Sequence, residues 1–180
     1  QKFDADGRFI RMWGKFAQDG AFDSFYGPRA IAVDSLGRLY VADTGNDRVV
    51  VFDAEGNGLS TIGSSGFEAG FLDEPVGVAV SPDGLQLYVA DTWNHRVVKY
   101  VDGRQALAFG TYGTPADPTQ DLGQFWGPRD IAIDDRGQVY VTDTGNKRVQ
   151  VFDMQGTPIR AFGGTGLAPG QFNAPTSISI

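Results

Sequence analysis

The sequence has no cysteine, which excludes disulfides and thiolate-held metal centres. It has a single histidine, His95, too few for a multi-histidine zinc site. Lysine is scarce, at positions 2, 15, 99 and 147 only, and acids outnumber bases to give a net charge of −7. Such a surface repels phosphate backbones, so nucleic acid is not the expected partner. No apolar run approaches the ~20 residues of a membrane-spanning helix, so no membrane span is expected within this segment. The opening "QKFDADGRF" reads as strand, turn and strand rather than as a signal peptide. Phosphate-binding loops, G-x-S-x-G elbows and twelve-residue calcium loops are also missing, and "DADG", "SPDG" and "IDDRG" read as turns.

What is abundant is glycine, at 25, and phenylalanine, at 13, in a chain that is 41% hydrophobic. This mixture suits many short strands joined by tight turns. The order of those strands repeats. Residues 27–63, 74–110 and 127–163 align as three copies, with prolines at 28, 75, 128 and 175 marking steps of 47, 53 and 47 residues. Each copy reads as four strands, A to D. In the first they are "AIAVD", "RLYVAD", "RVVVFD" and "LSTIG". Glycines of "SLGR", "PDGL" and "DRGQ" turn A into B, and those of "AEGN", "VDGR" and "MQGT" turn C into D. Four antiparallel strands repeated at this period predict the blades of an all-β propeller, stacked because one blade cannot bury both its faces.

The B–C corners "DTGNDRV", "DTWNHRV" and "DTGNKRV", together with linkers such as "GQFWGP" and "GQFNAP", resemble the NHL-repeat family. The resemblance is to its bacterial type and covers essentially the whole chain. It implies a β-propeller that closes with about six blades. On that reading, 1–14 is a partial blade, the three copies are complete blades, and 174–180 is the first strand of a further one. The expected arrangement is a segment of a longer polypeptide, with a half-propeller completed by self-association as the alternative.

Corner residues Asp43, Asn46 and Arg48, repeated as Asp91, Asn94 and Arg96 and as Asp143, Asn146 and Arg148, are expected to hold turns. A group present in every blade cannot single out one active site, and these residue types bond local backbone. His95 occupies the variable slot of this corner, with Asp47 and Lys147 as its counterparts, and is expected to be an exposed turn residue. Phe25, Phe71, Phe125 and Phe172 are expected to share one position and plug the gaps between blades. Aromatic residues outside that register are the binding candidates: Trp93, Tyr26, Tyr112 and Trp126, with Phe16 and Phe22 beside them. Arg29 and Arg129, with Glu74 and Asp130, sit where strand A begins near the channel mouth. The arginines are expected to pair there with the acids. No complete metal cage is visible and no cofactor is expected.

These readings favour a non-catalytic scaffold or sensor-type propeller that binds a protein, peptide or glycan through its loop faces. The first alternative is a metal-dependent lyase or lactonase-type enzyme whose ligands lie partly outside this segment. The second is an RNA-binding propeller, which the acidic charge disfavours. An extracytoplasmic or membrane-attached location follows from the resemblance alone.

Overall fold

The computed structural model describes residues 1–180. The chain starts with an antiparallel pair, β1 (Lys2–Phe3) and β2 (Phe9–Arg11), followed by a parallel pair, β3 (Lys15–Phe16) and β4 (Ser24–Phe25). The first four-stranded sheet is β5 (Ala30–Val33), β6 (Leu39–Asp43), β7 (Arg48–Phe52) and β8 (Gly58–Ile62). The second is β9 (Pro75–Val80), β10 (Gln86–Asp91), β11 (Arg96–Val101) and β12 (Arg104–Phe109). A second parallel pair, β13 (Thr111–Tyr112) and β14 (Gln124–Phe125), leads to the third sheet of β15 (Pro128–Ile133), β16 (Val139–Asp143), β17 (Arg148–Phe152) and β18 (Pro158–Gly163).

Each sheet is an antiparallel meander in chain order, and the three sheets are the three sequence copies. Asp-x-x-Gly sequences make the hairpins of the first and third sheets, and Ser81-Pro82-Asp83-Gly84 and Val101-Asp102-Gly103 those of the second. Asp34 accepts hydrogen bonds from the Leu36 and Arg38 amides at 3.0 and 2.9 Å, and Asp134 does the same for Arg136 and Gln138. Gly37 and Gly137 close these turns at φ 76° and 78°, where an L side chain is strained. One oxygen of each carboxylate is thus spent on backbone amides, while Asp34 Oδ2 accepts from Arg38 Nε at 2.6 Å.

The core lies between sheets. Tyr40, Ala42, Val49 and Val51 of the first pack against Val78, Leu87, Val89 and Val98 of the second. Tyr88, Ala90 and Val97 of the second pack against Ile131, Val139, Val141 and Phe152 of the third. Inner strands approach closely: a Cβ on Gly77 of β9 would lie 2.6 Å from the Asp130 Cα of β15. Consecutive units are also tied by a threonine that donates to the proline carbonyl of the next unit. Thr44 reaches Pro75 at 2.7 Å and Thr92 reaches Pro128 at 2.8 Å. Thr144 reaches Pro175 at 2.6 Å in the same way, although residues 174–180 form no strand.

One expected core position is corrected. The residue equivalent to Phe25, Phe125 and Phe172 is Leu72, not Phe71. Leu72 and Phe172 occupy matching parallel bridges, and Leu72 is fully buried while Phe71 is 37% exposed. Phe25 and Phe125 pack on Phe52 and Phe152, with ring centroids 5.9 and 5.6 Å apart. The second unit fills the same gap with Leu72 and Tyr100.

Candidate functional site: a cleft on the corner and linker face

The corners explain why this face is rigid. In the first, the Asp43 carboxylate accepts from the Tyr26 amide at 2.8 Å, from Asn46 at 2.8 Å and from Arg48 Nε at 2.9 Å. The rest of the Arg48 guanidinium donates to the carbonyls of Gly20, Ala21 and Ser24 in the incoming linker. Asp91, Asn94 and Arg96 repeat the arrangement, with Arg96 on the carbonyls of Phe67, Glu68 and Phe71. Asp143, Asn146 and Arg148 repeat it again. The linker of this third unit is longer, and Arg148 gathers four carbonyls, those of Pro118, Gln120, Asp121 and Gln124. Gln150, fully buried where the other units have valine, also binds this linker through the Gly123 amide and the Gln124 carbonyl. Each corner arginine thus anchors a linker, which places linkers and corners on one face.

Between the second and third corners of that face is a cleft of about 270 Å³. It is lined by Thr92, Trp93 and His95 of the second unit and by Trp126, Gly127, Arg129, Thr144 and Gly145 of the third. Both indoles are open to solvent, Trp93 at 61% and Trp126 at 49%. Trp126 lies directly on Gly145, where a Cβ would come within 2.5 Å of the ring. Tyr26 lies on Gly45 in the same way in the first unit. The second unit reverses the pair: the corner supplies Trp93, and the linker position of Tyr26 and Trp126 holds Asp73. Backbone geometry is the same in all three, since Gly45, Trp93 and Gly145 donate to the carbonyls of Tyr26, Asp73 and Trp126.

A third departure accompanies these two. Glu74 stands where the other units have Gly27 and Gly127, both at φ 63°, and it adopts φ 44° itself. A side chain in this left-handed region costs about 1–2 kcal/mol. Its carboxylate accepts from Trp93 Nε1 at 2.7 Å and so orients the indole. Strain retained at one copy of a repeat, with its side chain positioning an exposed aromatic, marks a functional candidate.

His95 differs from expectation. It occupies the left-handed turn position, φ 53°, as Asp47 and Lys147 do. However, it is half-buried, its Nδ1 accepts from the Gly127 amide at 3.1 Å, and its ring lies 4.9 Å from that of Tyr112. Asp47 Oδ1 accepts from the Glu74 amide in the same way at 2.8 Å. The slot therefore joins adjacent units. Burial lowers the His95 pKa, partly opposed by the Asp143 charge.

The expected pairing of arginines and acids at the channel mouth is also corrected. Glu74 is bound to Trp93, and Asp130 Oδ2 accepts from Ser177 Oγ and the Ile178 amide, each at 2.9 Å. The ion pairs of the chain do not include Arg29 or Arg129. Both are exposed and line one depression of about 300 Å³ with Val76, Asp130 and Ser177. Of the residues singled out from sequence, Trp93, Trp126 and Arg129 meet in the cleft, Tyr112 adjoins it through His95, and Arg29 shares the neighbouring depression. Tyr26 lies one unit away against Phe16, with ring centroids 5.3 Å apart. Sequence reasoning missed the Glu74–Trp93 bond and Gln150; each was signalled by a departure from the other copies.

The NHL repeat family profile matches residues 25–52, 72–100 and 125–152. The chain is 29% identical over 152 residues to "Protein brain tumor" of Drosophila melanogaster, covering 83% of this chain and 14% of that protein. It is 28% identical over 162 residues to "Probable peptidyl-alpha-hydroxyglycine alpha-amidating lyase pgal-1" of Caenorhabditis elegans, covering 87% and 42%. Among solved structures it resembles Kuenenia stuttgartiensis hydrazine synthase, with a TM-score of 0.63 at 18% identity over 91% of this chain and 42% of that one. The chain therefore spans less than half the length of each of these proteins. With three profile matches falling one on each of three four-stranded antiparallel sheets, the chain belongs to the NHL-repeat β-propellers.

Proposed function

We propose that this propeller is a non-catalytic binding module, and that its ligand face is the corner and linker side, centred on the cleft between Trp93 and Trp126. One observation carries the reading: two half-exposed indoles from different units line one cleft, held there by Glu74 and by Gly145. Large, rigid aromatics with an adjacent arginine make effective contact anchors at little entropic cost. The ligand is a protein, peptide or glycan. Likeness to the worm lyase supports the alternative, a metal-dependent enzyme whose ligands lie partly outside residues 1–180. Selection of displayed peptides and arrayed oligosaccharides on the immobilised chain tests the proposal. Ligands enriched on the native chain are expected to bind the Trp93→Ala/Trp126→Ala variant at least about tenfold more weakly, since two hot-spot aromatics are lost. Equal binding by that variant, with its fold intact by circular dichroism, would refute the placement.

A further inference from the structure

We infer that the depression lined by Arg29 and Arg129 is a carboxylate site, and that the ligand of the cleft is a peptide delivering one carboxylate to these arginines. The inference rests on the binding-face reading above and adds the chemistry of the ligand to it.

Arg29, Val76 and Arg129 are equivalent positions at the start of successive inner strands. The depression is therefore lined at these positions by arginine, valine and arginine, with Asp130 beside Arg129. Elsewhere on the chain the arginines near this face are committed: Arg48, Arg96 and Arg148 are consumed by their corners. The acids nearest the depression are committed too, Glu74 to the Trp93 indole and Asp130 to Ser177 and Ile178. Two guanidiniums facing one concavity with no protein acceptor present the fork geometry that carboxylates fill. Arg129 lines both the depression and the aromatic cleft. A ligand with an apolar group between the indoles thus brings an attached carboxylate to the arginines. The net charge of −7 opposes an extended polyanion, while a single carboxylate meets two arginines against one acid, Asp130. This favours a peptide over a nucleic acid.

The test is an NMR titration of the ¹⁵N-labelled 180-residue chain, reading the indole Nε1–H signals and the arginine Nε–H signals. Three probes are compared: N-acetyl-Gly-Gly-Phe with a free carboxylate, its C-terminal amide, and an amidated N-acetyl-Gly-Glu-Phe. The free acid is expected to shift Trp93, Trp126 and Arg129 saturably and to bind about tenfold more tightly than the amide, as charge-assisted hydrogen bonds allow. In Arg29→Gln/Arg129→Gln, acid and amide are expected to bind alike. If the amidated glutamate peptide matches the free acid, a side chain serves as well as a chain terminus; if it matches the amide, only a terminus serves. Equal affinity of all three peptides for the native chain would overturn the carboxylate inference and leave the binding face standing. Silence of Trp93 and Trp126 towards every peptide would overturn both. Displacement of the peptide from the same signals by oligouridylate at physiological salt would overturn the peptide in favour of nucleic acid.

Discussion

Arg148 and Asp143 are both fully buried, and between them they satisfy four linker carbonyls, an amide and each other. Removing one partner of such a pair leaves an uncompensated charge, which costs about 3–5 kcal/mol. Arg148→Met is therefore expected to lose that much stability in urea unfolding. Arg29→Gln, at an exposed and unpaired residue, should change stability by less than about 0.5 kcal/mol. His95 gives a pH prediction. Its folded pKa lies below the ordinary histidine value, so folding favours the neutral ring. That contribution is complete above the unfolded-state pKa and is lost as pH falls through it towards the folded value. Protonation at Nδ1 also removes the acceptor used by Gly127. Urea midpoints measured from pH 7.5 to 5.5 should fall in the native chain and fall less in His95→Gln. At this scale the repeat made the corners legible, because three agreeing copies expose what a turn requires. It did not reveal where a varying side chain goes. Comparing copies shows that Asp47, His95 and Lys147 differ, but the amide that Asp47 or His95 accepts from belongs to the next unit.

Strands were legible almost residue by residue, because β-branched runs bounded by glycine-containing turns admit little else. Linkers were not. They fold back as short parallel pairs, β3 with β4 and β13 with β14, whose bonds depend on a corner arginine some 25 residues later. The Phe71 position shows why: the other units place phenylalanine in this gap, whereas the second fills it with Leu72 and Tyr100. The Tyr100 hydroxyl is buried without a partner, and burial raises its pKa to about 12. Since Phe52 and Phe152 stand at the equivalent positions, Tyr100→Phe should stabilise the fold by about 1 kcal/mol in urea titration, relieving an unsatisfied group. Phe125→Ala, which empties a fully buried site, should cost about 3–5 kcal/mol, and Phe71→Ala well under that.

For the whole molecule, three sheets stacked through two hydrophobic interfaces create a rigid support whose corner face carries the variable residues. The all-β propeller class was readable from period and turn chemistry. Which departures converge was readable only once the units were placed side by side. Trp93, Asp73 and Glu74 are separate anomalies in the sequence and one arrangement in the fold. The central claim is that this arrangement, facing Trp126, is the ligand site. The chain has three tryptophans, and Trp13 packs against Phe52 away from the cleft. The three indole N–H signals therefore report on the claim directly. Titrating a ligand selected on the native chain should move the Trp93 and Trp126 signals together and leave Trp13 unchanged. Movement of Trp13 with Trp93 and Trp126 unmoved would contradict the account.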